Sequence, residues 1–425
     1  MGLFTATGDA WSEVAEPAPA GRTAWHLPSV RLTVLFFALV CVGLVVSASS
    51  AGRGQFRVVL VKRLLTTAFG AAAFVAGVSV PYRFWRRHQL GALLASLAVL
   101  VAVFVPGLGI AKNGARRWIA VGLPFGCQPS EFAKVGLCIW VAAYCERNLA
   151  FMRRFVRGLL APLVVVGLAC GLLLAEPDFG TAVLTGLTCT AVLLVMGARV
   201  IYFGLLAVAS IPLAHQLVFG VPYRLRRVTA FLDPWNDAQG AGYQLVQSLI
   251  AVGSGGLTGL GLGAGRQKAD FLPGATNDFV FSVAAEEVGF LGSVALILLI
   301  ALLLWELLRV VQRSPDPFAF ALSLGFTLLL GVQAAAHIAV ATGCIPTKGL
   351  SLPFISAGGS SLVASLFAAG VLVNIAASAE GSVPARPSAR EEPPGYERAA
   401  QWVWHRTGKR WVQQCPLFRT KGGGH

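Results

Sequence analysis

From Gly253 to Gly292 the chain reads GSGGLTGLGLGAGRQKADFLPGATNDFVFSVAAEEVGFLG, and this stretch carries the ingredients of proton transfer on a phosphate-bearing substrate. Arg266, Gln267 and Lys268 close a loop whose glycines at 259, 261, 263 and 265 permit positive φ and close backbone approach to a ligand. The cations suit phosphate oxygens. Asp278 follows at the entrance to an apolar helical run, where a carboxylate can accept a proton. A competing account is that Asp278, or Asn277 before it, caps the helix that begins there. The two roles are compatible.

Other residues could share the chemistry. Arg116, Arg117 and Trp118 set planar guanidinium forks beside an aromatic ring, an arrangement that fits a phosphate and a sugar face and equally an anchor at a membrane interface. Lys348 lies between Thr347 and Gly349, just ahead of the small-residue run ISAGGSS (Ile355 to Ser361), which reads either as a phosphate cradle or as close backbone packing. Glu131, Lys134, Glu286 and Glu287 stand inside apolar runs. On one helix Glu286 and Glu287 lie about 80° and 180° around from Asp278, so only Glu286 shares its face, at about 12 Å of rise. An ionised carboxylate in lipid costs several kcal/mol unless paired. Glu131, Lys134 and Glu286 are therefore expected to form a buried structural or gating network, direct substrate contact being the alternative. Asp178 is expected to cap a helix, and Asp233-Pro234-Trp235 to form a turn. The six histidines show no ligand spacing and the eight cysteines form no C-x-x-C pair, so no metal site can be argued.

What must position these residues is a membrane protein. Of 425 residues 56% are hydrophobic and 12% charged, with mean hydropathy +0.70, against roughly 25% charged in soluble domains. Apolar runs near the bilayer-spanning length lie at 31–50, 64–80, 89–109, 131–146, 157–175, 181–197, 201–219, 280–308, 318–342 and 360–378. The fold class is thus all-α and polytopic, with about ten transmembrane helices (residues 31–378) between tails at 1–30 and 379–425. A long segment, 221–279, joins helices seven and eight. Basic loops at Arg83, Arg86 and Arg87, at Arg147, Arg153, Arg154 and Arg157, and at Arg309 and Arg313 place those loops and both termini in the cytoplasm. The first residues lack the basic n-region of a signal peptide and read as an uncleaved tail. Four segments then face outward, 51–63, 111–130, 221–279 and 343–359, and they hold many of the remaining cations. A net charge of +15 in such a chain points to anionic lipid and a polyanionic substrate, with no nucleic-acid partner.

Four blocks together resemble a known family. NGARRWIAVGLPFGCQPSEFAK (Asn113 to Lys134), EPDFGTAV (Glu176 to Val183), GLGAGRQKADFLPGATNDFVFSVAAEEVGFLG and PTKGLSLPFISAGGSSL (Pro346 to Leu362) look like the shape, elongation, division and sporulation (SEDS) proteins. PTKGLSLPF is more similar to the division-type (FtsW-like) and sporulation-type branch than to the elongation-type RodA branch. The resemblance implies a ten-helix peptidoglycan glycosyltransferase in the bacterial cytoplasmic membrane, working at the division septum. Its substrate would be lipid II, a disaccharide-pentapeptide on undecaprenyl pyrophosphate, polymerised by inverting β-1,4 transfer. Asp278, in Asn277-Asp278-Phe279-Val280-Phe281, matches the family's essential acid. Arg116, Arg117, Trp118, Lys268 and Lys348 would bind substrate, and cations or a divalent metal would stabilise the departing pyrophosphate. A class B penicillin-binding protein transpeptidase and other divisome membrane proteins are the implied partners. Gly274, Thr276-Asn277, His337 and Ala357 depart from the family pattern. A lipid II flippase and a non-catalytic divisome scaffold are the rival functions, and a RodA-like elongation enzyme the rival within the family.

Overall fold

The computed structural model describes residues 27–49, 56–112, 115–119, 126–266, 272 and 274–381. Both expected tails and Lys268 lie outside the described residues, apart from a few residues bordering the bundle. The chain forms α1 (Pro28–Ser49), α2 (Phe56–Ser79), α3 (Tyr82–Arg87), α4 (Gln89–Ala102), a hairpin of β1 (Gly109–Lys112) and β2 (Ala115–Ile119), then α5 (Pro129–Arg147), α6 (Ala161–Ala175), α7 (Phe179–Val195) and α8 (Val200–Phe219). It continues with α9 (Pro222–Leu232), α10 (Tyr243–Ser254), α11 (Val280–Arg313), α12 (Pro317–Ala341) and α13 (Gly359–Gly381). The protein is a multi-pass helical membrane protein. Among the described residues six segments are long and apolar enough to cross a bilayer: α1, α2, 156–175, α11, α12 and α13. α4, α7 and α8 hold shorter apolar stretches, and α5, which carries Glu131 and Lys134, supplies the tenth run.

Three differences from the sequence reading follow from local chemistry. The run 89–109 ends as a helix at Ala102, because Pro106 and Gly107 (φ 88°) turn the chain into the antiparallel hairpin, a small sheet within an otherwise all-α protein. Segment 51–63 is not a free outward loop, since Arg57, Lys62 and Arg63 already lie on α2. The 221–279 segment is no linker either. Pro222 at the first turn and alternating Arg and apolar residues make α9 amphipathic, and α10 packs on α11 and α12.

Helices that share lipid as solvent gain little from hydrophobicity and associate instead through close van der Waals packing at small residues. α2 and α13 do this. A Cβ added at Gly370 would stand 2.2 Å from the Phe74 carbonyl oxygen, and one at Gly77 would stand 2.6 Å from that of Phe367. α13 and α12 are buried along most of their length, whereas α8 buries none of its described side chains. At the bundle end remote from Asp278, polar staples fix the helix ends: Tyr82 donates to Asp316 (2.6 Å), Arg86 pairs with Glu146 (3.0 Å) and Arg31 with Glu306 (3.1 Å).

Candidate active site

Asp278 sits on a turn, Gly274 to Phe279, that feeds α11. The Gly274 carbonyl accepts from the amides of Asn277 (3.0 Å) and Asp278 (2.8 Å). Gly274 has φ 76°, and a Cβ there would reach 3.4 Å from Asp278 Oδ2, so the departure from the family pattern at this position serves both the turn and the carboxylate. The capping account of Asp278 does not hold. Phe279 occupies the N-cap position of α11 with no side-chain cap, and Asp278 Oδ1 instead accepts from Asn277 Nδ2 at 2.9 Å. From the other side the last loop presses in: a Cβ at Gly349 would stand 3.0 Å from Asp278 Oδ2. Ser356 Oγ donates to the Asn277 carbonyl (2.7 Å), and the Ala357 amide to that of Thr276 (3.0 Å).

Arg227 and Arg117 act on this acid, and among the described residues no cation pairs with it. Burial pushes the Asp278 carboxyl above its ordinary value, Asp178 adding to the rise, while Asn277, Arg227 and Arg117 pull the other way. Arg227 on α9 donates to the Thr347 carbonyl at 2.9 Å. Arg117 on β2 donates to the Glu176 carbonyl (3.2 Å) and to that of Pro177. Lys348 Nζ lies 4.7 Å from the centre of the Phe179 ring and Arg224 Cζ 5.1 Å from it, so one aromatic face region organises two further cations. Burial lowers the Lys348 ammonium below its usual value. Asp178 caps α7 as expected, accepting from the Thr181 amide at 3.3 Å. Asp233 forms its expected turn, accepting from the Asn236 amide at 3.3 Å. Glu176, 1% exposed, has no hydrogen-bond partner for either carboxyl oxygen among the described residues, and burial pushes it up to about 8, first by desolvation and then by Asp178.

Of the residues singled out in the sequence, the structure brings Asp278, Arg117 and Lys348 toward one another. Arg116 is exposed on β2, with Trp118 half-buried two positions on. Glu131 and Lys134 pair at 3.0 Å, and Lys134 also donates to Gln333 Oε1 at 3.0 Å. Among the described residues Glu286 does not join that network, contrary to expectation. Its Oε1 accepts from the Arg266 amide (2.7 Å), and Glu287 accepts from the Gly263 amide (3.3 Å) and from Ser49. The reason is a break in α11 at Gly289 (φ 69°, ψ −167°). There the glycine-rich loop docks through its backbone: the amides of Leu260 and Gly261 donate to the carbonyls of Glu286 and Glu287, each at 3.0 Å. A buried carboxylate needs donors, and peptide amides of the glycine-rich loop are among those supplied here.

Sequence reasoning did not single out Arg227, Arg224, Phe179 or Arg63. A signal existed for the first two, since Arg224 and Arg227 are three apart on a short amphipathic helix and so share a face. Among the described residues no three His, Cys, Asp or Glu side chains cluster to hold a metal.

A helical membrane protein with a half-buried carboxylate near two arginines at one end of the bundle is the class that fold and site define. The family model for cell cycle proteins, FtsW/RodA/SpoVE, matches residues 28–381, and the chain belongs to that family. Stage V sporulation protein E of Bacillus subtilis (strain 168) is 36% identical over 354 residues, 82% of this chain and 96% of the relative. The probable peptidoglycan glycosyltransferase FtsW of Geobacter metallireducens is 39% identical over 313 residues, 74% of this chain and 83% of the relative. Among solved structures, a chain from work on the structural coordination of polymerization and crosslinking by a peptidoglycan synthase complex superposes with TM-score 0.68 at 32% identity, covering 82% of this chain and 98% of that one. The rod shape determining protein RodA of Thermus thermophilus superposes with TM-score 0.61 at 28% identity, covering 82% and 96%.

Lys134→Met leaves Glu131 buried without its ammonium, and the loss of one partner of a buried pair costs about 3 to 5 kcal/mol. Thermal melting in detergent should show a large drop for this variant and substantial recovery in Lys134→Met/Glu131→Gln. Equal melting of wild type and single variant would remove the pair from the stabilising core.

Proposed function

We infer that the protein is a peptidoglycan glycosyltransferase of cell-wall synthesis, polymerising lipid II, with Asp278 as the general base. The observation that carries this reading is a half-buried carboxylate with no capping duty, on which Arg227 and Arg117 act without pairing to it among the described residues. The relatives' names supply the reaction class. In the proposed step Asp278 takes the proton of the acceptor sugar's hydroxyl as that oxygen bonds to the anomeric carbon of the donor. The bond from that carbon to the pyrophosphate oxygen breaks, and the leaving group departs with the electron pair toward Arg117, Arg227, Lys348 and Arg224. Attack opposite the leaving group inverts an α-linked pyrophosphate into a β-1,4 link, so no covalent intermediate on the enzyme is needed. Preorganised cations stabilise charge that develops only in the transition state. A divalent ion would add to the same electrostatics, but the described acidic side chains do not gather into a set that could hold one. Arg116, Trp118 and Lys268 are assigned to the approach of substrate.

Translocation without bond chemistry is the weaker reading. Lys134 and Glu131, which a polar path would present, are held by each other and by Gln333 inside a packed helix layer. The similarity to Stage V sporulation protein E and FtsW relatives supports a division or sporulation role over elongation, although the fold alone is shared with RodA.

Asp278→Asn preserves shape and removes proton affinity. Purified protein carrying it should lose about two to four orders of magnitude of lipid II polymerisation while melting as wild type does. Because the carboxyl is raised in the fold and works ionised, kcat/KM should fall as pH drops through a value above the ordinary carboxylate range. Near-normal glycan synthesis by the folded variant ends the assignment. We further infer that the Asp278 end faces outward and that both termini are cytoplasmic, on the strength of the basic loops at the opposite end. Single cysteines introduced at Gln239 and Arg313 should react with an impermeant reagent from outside and only after lysis, respectively; the reverse pattern would invert the orientation. A class B penicillin-binding protein is the proposed partner, supported by the likeness to a chain of a peptidoglycan synthase complex. Co-purification from native membranes should recover such a transpeptidase, and its absence from otherwise active preparations would withdraw the partnership.

A further inference from the structure

Two hollows accompany the site, and their chemistry differs. One, of about 520 Å³ beside the hairpin, is bounded by Ala98, Val99, Ala102, Ile119, Cys127 and Phe132 and offers a ligand almost nothing polar. The other, of about 730 Å³, lies between α9, the turn from Asp233 to Ala241, the first turn of α10 and Thr347. Its volume falls in the usual range for small-ligand sites, about 300 to 1,000 Å³.

The polar groups of the second hollow divide into two sets. Its carboxylates are already used by their own turn: Asp233 accepts from the Asn236 amide, and Asp237 Oδ2 from the Ala241 amide at 2.9 Å. The side chains of Arg226, Asn236, Gln239, Tyr243 and Gln244 line the hollow and make no hydrogen bond among the described residues. What is left for a ligand is therefore three carboxamides and a phenol, each able both to donate and to accept, with one guanidinium. That inventory matches hydroxyl and acetamido groups. It is poor in the charge that a pyrophosphate needs.

Two residues that line the hollow link it to the acid. Arg227 lines it and acts on Asp278, and its guanidinium is fixed on the carbonyl of Thr347, which lines it too. Two residues beyond Thr347, Gly349 makes the close approach to Asp278 Oδ2. We propose that the hollow between α9 and α10 is a saccharide subsite, holding sugars of the glycan strand beside Asp278. The assignment rests on the glycosyltransferase reading. It places the sugars on the α9–α10 side of the acid and leaves the cations at Phe179 and on β2 to the donor's pyrophosphate.

The test uses the full chain in detergent and a soluble tetrasaccharide of alternating N-acetylglucosamine and N-acetylmuramic acid without stem peptide. Calorimetric titration should show binding to wild type that weakens about tenfold or more in Gln239→Ala/Gln244→Ala, since each lost hydrogen bond is worth roughly 0.5 to 1.5 kcal/mol. Tyr243→Phe, a milder change, should weaken it measurably, and strands made from lipid II by the double variant should be shorter. Undiminished binding in both variants, or binding that requires the stem peptide, overturns the subsite. Lipid II polymerisation by wild type with no effect of either variant removes the subsite and leaves the activity standing. A wild type that binds the tetrasaccharide at this hollow but forms no polymer removes the activity and keeps the subsite.

Discussion

A single buried guanidinium holds the site in shape. Arg63, 3% exposed on α2, donates to the backbone carbonyls of Phe354 (3.1 Å), Ile355 (2.9 Å) and Ser356. Hydrogen bonds to charged groups contribute about 1.5 to 3 kcal/mol each, and a buried cation without them is expensive. Arg63 thereby fixes a turn in which Phe354 takes φ 68°, a conformation unfavourable for a phenylalanine outside such a clamp. That turn carries Ser356 and Ala357, which hold the carbonyls of Asn277 and Thr276 and so place Asp278. Room for the guanidinium comes from Gly43, where a Cβ would stand 2.7 Å from Arg63 Nη2.

A second anchorage acts on the following turn of the same helix. α11 would run straight from Asp278 into the bilayer were it not broken at Gly289. The break frees the carbonyls of Glu286 and Glu287, and the glycine-rich loop returns to satisfy them with its own amides. Gly259 and Gly265 are glycine for a steric reason here: Cβ atoms at these positions would stand 2.1 Å from the Glu287 carbonyl oxygen and 2.9 Å from Glu286 Oε2. Of the glycines that first read as a ligand-approach loop, Gly259 thus packs against backbone and Gly265 against a carboxylate, whereas a Cβ at Gly261 or Gly263 would meet open space. The loop that bears Arg266 and the acid that begins α11 are in this way parts of one unit.

How much of this was legible in the sequence depends on the range of the interaction. The helical runs are written in local composition: each of the ten expected runs falls on a helix, and among the described residues six segments are long and apolar enough to cross a bilayer. Asp278 stood out because a motif and an apolar run flank it. Arg63 was hidden because its partners are backbone carbonyls nearly three hundred residues away, and carbonyls leave no mark in a sequence. The pairing of Lys134 was half legible. Glu131, one turn away, is the ordinary helical partner, whereas Gln333 took the place expected for Glu286 because an amide oxygen satisfies an ammonium without adding charge. Segment 221–279 was read as a loop since its two helices are short, amphipathic and interrupted by Asp233-Pro234.

The neutral anchoring of the cations is what lets one cluster serve both the base and the leaving group. An arginine in direct contact with Asp278 would hold that carboxylate as a weak base and spend its own donors on it. Arg117 and Arg227 are instead fixed by the carbonyls of Glu176, Pro177 and Thr347, acceptors that orient a guanidinium without cancelling its charge. Their field reaches Asp278 at a distance, enough to oppose the desolvation that raises its pKa but not enough to reverse it. The acid thus keeps proton affinity while the cations keep positive charge. A salt bridge between them would have cost the site both.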